Sequence, residues 1–236
     1  MTSLSVVIPA YNEAKRLPAT LGRVLAWLDA QSLEFRELIV VNDGSTDGTA
    51  ALVESLRDAH PRLRLLNNPG NRGKGYSVRH GMLEARGEWV LFSDADLSTP
   101  IEDAARLVAA ATEARADIAI GSRAVDRSLV SVHQSLLREL SGRFFNVVMR
   151  TVTGLPFRDT QCGFKLYRAS AAREVFSRQR LDGFSFDVED LYIARLLGVP
   201  AVEVPVRWAN VEGTKVSAFT GLRSFADLVR IRRHRE

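Results

Sequence analysis

The sequence predicts an α/β protein in which helices flank a mainly parallel central sheet. Short apolar segments typical of buried strands alternate five times with segments whose apolar residues recur at helical spacing, and the connections between them are short. A polar cluster also follows each of the first four predicted strands, at residues 11–13, 42–47, 71–74 and 94–96. Ligands of parallel α/β sheets bind at the carboxyl ends of the strands, so we expect these clusters to form one site.

Each predicted strand is short, apolar and rich in β-branched residues, and each of the first four is followed by a segment with helical spacing. The strands are predicted at residues 4–9, 37–41, 63–66, 89–92 and 117–121. The first helix is expected to begin at Asn12 or Glu13, and Ser45 or Thr46 can cap the second. The third and fourth helices are predicted at about 76–85 and 100–114.

The pattern changes in the second half of the chain. Residues 130–152 predict a long helix in which arginines, Arg138 among them, interrupt the apolar positions. A polar loop at 158–165 leads into a strand, a helix opens near Phe186, and residues 201–206 predict a late strand.

Composition indicates an ordinary globular protein. The 236 residues are 46% hydrophobic and 25% charged, which permits one domain with a sizeable core. We predict that residues 1–210 form the body of this domain and that residues 211–236 form a basic amphipathic C-terminal helix belonging to it. No repeat, low-complexity segment or linker divides the chain. The sequence carries no indication of oligomeric state.

The same composition argues against several classes of function. A formal net charge of +4 is too small to indicate nucleic-acid binding, and no basic surface interleaved with aromatic residues suggests it. Cys162, the single cysteine, cannot form an internal disulfide bond. No apolar run approaches the ~20 residues of a membrane span, and no secretory leader is visible. We expect a cytoplasmic protein, either soluble or peripheral on the cytoplasmic face of a membrane.

Two carboxylates stand directly after the fourth strand. If the strand continues through them, Asp94 and Asp96 share a face, because residues i and i+2 of a strand point the same way. Like charges this close repel unless a cation or hydrogen-bond donors separate them. Mg²⁺ or Mn²⁺ bridging to phosphate oxygens would do so. The alternative is an Asx turn that ends the strand, with Asp96 as a helix N-cap.

Two common nucleotide-binding patterns fail on spacing. A P-loop requires glycine five positions before the Gly-Lys pair and Ser or Thr after it, but Asn68 precedes Gly73-Lys74 and Gly75 follows. A dinucleotide fingerprint requires G-x-G-x-x-G after the first strand, where this chain has PAYNE at 9–13. These spacings argue against an ATPase and an NAD-dependent dehydrogenase.

The motifs at the strand ends instead resemble the family 2 glycosyltransferases. The resemblance rests on PAYNE (9–13), VNDGSTD (41–47), NRGKG (71–75), DADLS (94–98) and GSR (121–123). DTQCGFKLY (159–167) and FDVEDLYIA (186–194) resemble the branch that contains dolichyl-phosphate glucosyltransferases and their bacterial polyprenyl-phosphate relatives. The match runs from Leu4 to Trp208. It implies a GT-A fold, a nucleotide-sugar donor, a divalent metal and inversion at the anomeric carbon.

The resemblance also implies where the nucleotide binds. Pro9, Tyr11, Glu13 and Asp43 would surround the base and ribose, and Lys74 would lie near the nucleotide. We expect a UDP-sugar in this position, with UDP-glucose first among the donors.

By the same resemblance, Asp94 would approach the donor and Asp96 would hold Mg²⁺ or Mn²⁺, with Asp94 as a second candidate ligand. Ser98 departs from the pattern, because related mannosyltransferases commonly place a glutamine there as a further metal contact. A metal and nearby cations would stabilise the negative charge that develops on the departing diphosphate.

Arg123, Arg138 and Lys165 are candidates for binding the phosphates of donor and acceptor, and Asp159 would lie in the acceptor pocket. An acceptor phosphate is already anionic and needs positioning and charge compensation more than a strong base. A hydroxyl acceptor would need a base, and Asp159 or Asp94 could serve. The residues alone are compatible with either acceptor.

We therefore expect an inverting, metal-dependent enzyme that transfers a hexose, with glucose as the first candidate, to dolichyl or polyprenyl phosphate. The alternatives are a GDP-mannose-dependent polyprenyl-phosphate mannosyltransferase, a family 2 transferase acting on a saccharide hydroxyl, and a catalytically silent nucleotide-sugar-binding module.

Two features admit a structural or a functional interpretation. Asp187 and Glu189 suit either a helix N-terminus or a site role. The segment from Ser217 carries Phe and Leu on one face and arginines on the other, which is typical of an interfacial helix or of a core-packing helix with a solvated basic face. We hypothesise that it and the predicted 130–152 helix contact an anionic membrane.

Overall fold

The computed structural model describes residues 2–132, 146–211, 227–228 and 230–232. Its strands are β1 (Ser3–Ala10), β2 (Phe35–Asn42), β3 (Leu63–Asn67), β4 (Trp89–Ser93), β5 (Ile118–Ser122), β6 (Val130–Val132), β7 (Phe164–Arg168), β8 (Ala201–Pro205) and β9 (Trp208–Ala209). Its helices are α1 (Leu17–Asp29), α2 (Thr49–Arg57), α3 (Lys74–Glu84), α4 (Ala104–Glu113), α5 (146–153), α6 (Ala169–Phe176) and α7 (Phe186–Leu196).

Seven strands form one sheet in the order β3-β2-β1-β4-β7-β5-β8. β1 pairs in parallel with β2 along its whole length, from Ser3 opposite Phe35 to Ala10 opposite Asn42, and with β4 on its other side. The chain runs outward from β1 to β3 and then crosses back to β4, so the strand order reverses between β1 and β4. Such a reversal opens a ligand-binding crevice at the carboxyl ends of the strands.

The sheet separates two apolar cores, as the near-continuous hydrophobic strands require of a sheet covered on both faces. Successive residues of β1 alternate between them: Val6 and Ile8 pack with α1, α2 and α4, whereas Val7 packs with α3, α6 and α7. The predicted α/β architecture with a mainly parallel sheet is confirmed. Only β7 runs antiparallel to its neighbours β4 and β5 among the seven strands.

Two predictions about the early helices are wrong. α1 begins at Leu17 rather than at Asn12 or Glu13, because the amides of both residues bond to side chains of the next loop and Asn12 adopts a φ of +52°. α2 is not capped by Ser45 or Thr46. Its N-cap position is Gly48, and Asp47 Oδ1 accepts from the Thr49 amide at 3.1 Å.

The prediction of a single helix over 130–152 is also wrong at its start. Val130–Val132 is strand β6, which pairs in parallel with β9, and the helix α5 covers residues 146–153. The pairing partner lies more than 70 residues away along the chain, so no local periodicity reports it. Residues 133–145, including Arg138, lie outside the described residues.

The described residues of the C-terminal tail pack into the core of the protein. Leu228 and Ile231 are buried in the same core as α3, α6 and α7, while Arg230 and Arg232 are exposed. The rest of the predicted amphipathic segment lies outside the described residues. None of the helices in the described part of the chain has the length and apolar character needed to cross a membrane.

Candidate active site

The loops after β1 and β2 are held together by side-chain contacts with backbone amides. Ser45 Oγ accepts from the Asn12 amide, Thr49 Oγ1 accepts from the Glu13 amide, and Asn12 Oδ1 accepts from the Thr46 amide, all within 2.9 Å. The first two predicted polar clusters therefore converge.

Within this region, Glu13 forms a two-point ion pair with Arg16, with both N–O distances at 2.8 Å. Pro9 lies within β1 opposite Val41, and Tyr11 follows the strand with 38% of its surface exposed. These residues line up along the carboxyl end of β1, where a nucleotide site is expected.

Asp43 joins the second cluster to the third. It is 4% exposed, and its carboxylate accepts from the amides of Arg72 and Gly73 at 2.9 and 2.8 Å and from Asn68 Nδ2 at 2.8 Å. Gly44 allows the two loops to touch, because a Cβ there would lie 2.5 Å from the Gly70 carbonyl carbon. Asp43 thus shapes the NRGKG loop.

Lys74 joins the third cluster to the fourth. Its Nζ lies 2.7 Å from Asp94 Oδ1, and 23% of its side chain is exposed. Burial favours the neutral amine, but the negative charges of Asp94 and Asp187 outweigh burial and raise the pKa of Lys74. All four predicted clusters therefore meet at one edge of the sheet, with a cationic lysine between them.

The two aspartates do not share a strand face, since β4 ends at Ser93. Asp94 lies against Gly163, where any Cβ would collide with its carboxylate. Asp96 Oδ1 accepts from the Ser98 amide at 2.9 Å, which is the Asx turn of the alternative interpretation, although no helix starts there.

The donor set at the end of β4 fits a hard divalent cation. Mg²⁺ sites in proteins commonly use one or two carboxylates and complete the shell with substrate phosphates and water. Asp94 and Asp96 supply such oxygens and both are partly exposed. Among the described residues no group of three or more potential metal-binding side chains is preassembled.

Arg123 and Asp159 form a two-point ion pair in which the Asp159 side chain is buried and the Arg123 side chain is partly exposed. Arg123 Nε and Nη2 lie 2.6 and 2.8 Å from the two carboxylate oxygens, and the Arg123 amide adds a third bond at 3.0 Å. Burial tends to raise the pKa of Asp159, but Arg123 outweighs it and lowers that pKa. Asp159 is therefore ionised and engaged, which makes it a weak proton acceptor.

Lys165 is fully buried behind the edge of the sheet. Its ammonium is ion-paired with Asp187 and lies 3.9 Å from Asp190, and Tyr167 Oη donates to Asp190 at 2.7 Å. Burial lowers the pKa of Lys165, but the two carboxylates outweigh it and raise that pKa. The structure thus places Lys165 in a charge network that supports the site from within rather than on its open surface.

Asp187 and Glu189 both lie in the first turn of α7, as the helix-N-terminus interpretation predicts. Neither is the N-cap, which is Ser185 and has no side-chain bond to the helix. Asp187 pairs with Lys165, and Glu189 accepts from the amides of Arg180 and Leu181 at 3.0 and 2.8 Å.

Several residues near the site were not predicted from the sequence. Trp208 lies with its ring 5.5 Å from the Arg123 guanidinium and, with Gly163, lines a cavity of about 10 Å³ beside Asp94. Glu203 accepts from the Asp159 amide at 2.8 Å. Gly163 could have been noted as a glycine directly before a strand, whereas nothing local distinguishes Trp208 or Glu203.

The fold is shared with solved glycosyltransferase structures. A mannosyl-3-phosphoglycerate synthase from Rubrobacter xylanophilus superposes with a TM-score of 0.71 at 16% identity, covering 99% of this chain and 74% of its own. A glucosyl-3-phosphoglycerate synthase from Mycobacterium tuberculosis was solved with Mn²⁺, UDP and glucosyl-3-phosphoglycerate. It superposes with a TM-score of 0.69 at 19% identity, covering 98% of this chain and 80% of its own. At these identities the likeness shows the fold, which is of the GT-A type.

Sequence comparison identifies the family. A dolichyl-phosphate beta-glucosyltransferase from Drosophila melanogaster is 42% identical over 227 residues, covering 92% of this chain and 70% of its own. Its counterpart from Dictyostelium discoideum is 39% identical over 241 residues, covering 97% of this chain and 73% of its own. The model of glycosyl transferase family 2 matches residues 5–176, and with these relatives it establishes that this chain is a member of that family.

Proposed function

We propose that this glycosyltransferase moves glucose from UDP-glucose to a dolichyl or polyprenyl phosphate, with inversion and with a divalent metal. The observation that carries the proposal is Lys74 paired with Asp94 at the point where the strand order reverses. A cation and an acidic pair meet there at the edge where α/β sheets bind ligands. The names of the relatives at 39–42% identity support both the sugar and the acceptor.

Asp94 and Asp96 would hold Mg²⁺ or Mn²⁺, which when bound would neutralise charge on the departing diphosphate. Pro9, Tyr11, Glu13 and Asp43 border the region proposed for the base and ribose. Lys74 is cationic and reaches the same space. It would exchange its contact with Asp94 for a donor phosphate oxygen and so stabilise charge where it develops.

In the proposed reaction a phosphate oxygen of the acceptor attacks the anomeric carbon as the bond from that carbon to the diphosphate oxygen breaks. The acceptor oxygen already carries negative charge near neutral pH, so no strong base is required. The lowered pKa of Asp159 is in keeping with this. Arg123, whose side chain is 31% exposed, would contact the acceptor phosphate, and Arg138 stays a candidate for the same role.

Lys165 would act indirectly, by fixing Asp187 and β7 beneath the site. The acceptor class implies work at a membrane surface. We propose peripheral contact with the cytoplasmic face through the basic C-terminal segment 211–236.

The test is transfer of radiolabelled glucose from UDP-glucose to a short polyprenyl phosphate, with Mg²⁺ or Mn²⁺ and then with EDTA. Lipid-extractable, EDTA-sensitive label would support donor, acceptor and metal together. If label is transferred only from GDP-mannose, glucose is not the sugar that is moved. If label appears only on a saccharide, the acceptor is not a lipid phosphate. Absence of both transfer and UDP binding would overturn the proposal.

A further inference from the structure

The segment of residues 179–183 covers the N-terminus of α3, the helix that begins with Lys74. The carbonyl oxygen of Asp182 accepts from the amides of Gly75 and Tyr76 at 2.8 and 3.3 Å. Gln179 Nε2 donates to the carbonyl oxygen of Gly75 at 3.0 Å. Helix N-termini normally leave their first amides without intrahelical partners, and here the 179–183 segment supplies a partner for two of them, the amides of Gly75 and Tyr76.

The glycines on either side of Lys74 permit this close contact. A Cβ at Gly73 would collide with the carbonyl oxygen of Asp182, and a Cβ at Gly75 would collide with that of Leu181. The backbone around Lys74 is therefore pressed directly against the 179–183 segment, so a displacement of that segment must displace Lys74.

Two side chains hold the 179–183 segment, Glu189 at residues 180 and 181 and Arg79 at residues 179 and 182 on either side of them. Glu189, on α7 and 1% exposed, accepts from the amides of Arg180 and Leu181. Arg79, on α3, donates to the carbonyl oxygen of Gln179 at 3.0 Å and to Asp182 Oδ1 at 2.9 Å. A buried carboxylate that accepts two backbone amides fixes their position strongly, because hydrogen bonds to a charged acceptor are short and strong.

This arrangement has a consequence for anion binding. Helix N-termini commonly bind phosphate through free amides, but the amides of Arg72 and Gly73 bond to Asp43 and those of Gly75 and Tyr76 bond to Asp182. With these four amides engaged, the Lys74 ammonium is a charged group at this helix start that is placed to meet a diphosphate, so its position matters.

We propose that Glu189 is a positioning residue that acts through the 179–183 segment to hold Lys74 at Asp94. The inference rests on the proposed function in one respect, namely that Lys74 meets the diphosphate of the donor. Glu189 itself touches neither donor nor acceptor in this proposal.

The first test needs no nucleotide. Lys74 is held in its ion pair, whereas Lys15 is exposed, so an amine-acetylating reagent followed by mass spectrometry should label Lys74 several-fold more slowly. Glu189→Gln replaces one acceptor oxygen with a donor that faces an amide and should raise Lys74 labelling about threefold or more. Glu174→Gln, at an exposed ion pair on α6, is the matched control and should change nothing. Equal labelling of Lys74 in the wild type and in Glu189→Gln would overturn the inference.

The second test connects the segment to the donor site. UDP binding with Mn²⁺ is measured by calorimetry for the wild type, Lys74→Met, Glu189→Gln and the double variant. Each single change should weaken binding about tenfold, and the double variant should bind no more weakly than Lys74→Met, because Glu189 acts through Lys74. Additive losses would overturn the inference by indicating a general structural effect.

Arg79→Gln removes the second set of contacts to the 179–183 segment, repeats both tests, and replaces Glu189→Gln if thermal unfolding shows that the latter does not fold. A wild-type chain that binds no UDP would overturn the proposed donor. The labelling experiment would still decide whether Glu189 positions Lys74.

Discussion

At the scale of single residues, the cations of the candidate site are each paired with a carboxylate. Lys74 pairs with Asp94, Arg123 with Asp159 and Lys165 with Asp187. Partly buried charges are tolerated only when paired, so these pairs keep the site stable before a ligand arrives. In the proposed function a phosphate replaces a carboxylate at the partly exposed members, Lys74 and Arg123, whereas Lys165 has no access to solvent.

The first prediction concerns the proposed metal ligand. Asp96→Asn should keep the Asx turn with Ser98 while removing the charge that a divalent cation requires. We expect glucosyl transfer to fall by about a hundredfold or more, with thermal stability nearly unchanged. Asp126→Asn is the matched control, since Asp126 Oδ1 also accepts from the amide two residues on, at 3.0 Å. Transfer by Asp96→Asn at the wild-type rate would contradict a role in metal binding.

The second prediction concerns the stability of the Arg123–Asp159 pair. Asp159→Asn leaves the guanidinium without a counter-charge and should cost about 3 kcal/mol of unfolding free energy at neutral pH. The cost should be complete above the ordinary value of 3.8 and should shrink as the pH falls below it, because the stability that comes from the lowered pKa of Asp159 is lost as the pH falls from 3.8 through the folded-state pKa. Urea denaturation of the wild type and of Asp159→Asn at several pH values measures this loss of unfolding free energy.

Asp117→Asn provides the comparison for that experiment. Asp117 pairs with Arg168, and the two side chains are 38% and 41% exposed. Breaking this pair should cost less than about 1 kcal/mol. Similar losses for both variants would show that the Arg123–Asp159 pair is not a buried charge pair in solution.

At the scale of secondary-structure elements, β7 and α7 organise the back of the site. β7 runs antiparallel between β4 and β5, which places Lys165 opposite both Phe92 and Ile120 in the middle of the sheet. The first turns of α7 bring Asp187 and Asp190 to that lysine. The loop that enters β7 carries Gly163, on which Asp94 rests. One antiparallel strand thus supports both the charge network and the carboxylate at the site.

The third prediction follows from this network. Burial, opposed by Lys165, raises the pKa of Asp190 to about 7 from 3.8. Between these values the folded state binds a proton that the unfolded state has released. Stability should therefore fall as the pH rises from about 4 to about 7, by up to about 1.4 kcal/mol per pH unit. Asp190→Asn should flatten this dependence in urea denaturation.

Asp58→Asn, at an exposed position, is the control for Asp190→Asn and should leave the pH dependence as in the wild type. If the unfolding free energy depends on pH in the same way in the wild type and in Asp190→Asn, Asp190 is ionised throughout this range.

The fourth prediction concerns the contact between the β7 entry loop and Asp94. Gly163→Ala places a methyl group where the Asp94 carboxylate lies, so Asp94 must move away from Lys74. We expect transfer to fall at least about tenfold, because small misplacements at a reacting centre are costly. Gly22→Ala on α1 has open space around it and should leave activity unchanged while stabilising the helix by up to about 1 kcal/mol. Wild-type activity of Gly163→Ala would mean that Asp94 need not occupy its observed position.

At the scale of the whole molecule, the strand order concentrates the polar clusters at one edge of the sheet. β1 and β4 are neighbours in the sheet, although 78 residues of the chain lie between the last residue of β1, Ala10, and the first residue of β4, Trp89. The helices on both faces leave the carboxyl ends of these strands as the place where loops gather. The same placement underlies the similarity to transferases at 16–19% identity with TM-scores near 0.7.

The fifth prediction concerns the proposed membrane contact. Arg230 is about 70% exposed and Arg232 is also exposed, while Ile231 between them and the preceding Leu228 are buried. If these arginines meet anionic lipids, the chain should float with vesicles that contain phosphatidylserine, and salt should weaken the association. Charge reversal at Arg230 and Arg232 should reduce flotation, whereas reversal at Arg57 and Arg62, which are also about half exposed, should not. Flotation that is equal with neutral vesicles would argue against an electrostatic contact.

The sequence by itself determined the fold class, the first five strands and the edge on which the site lies. These depend on local patterns: apolar strands, helical spacing and polar residues at strand ends. The motifs around Asp43, Lys74, Asp94 and Asp159 also identified the family that the comparisons confirm.

Only the tertiary structure decided which distant groups meet. The pairing of β6 with β9, the antiparallel placement of β7, the burial of Lys165 and the two amides bound by Glu189 all join residues that are apart in sequence or on different elements. Periodicity reports which face of an element is apolar, whereas the partner of a buried charge depends on how the elements pack. That is why Arg123 and Lys165 were predicted as ligands for phosphate, whereas the structure shows them first as partners of Asp159 and Asp187.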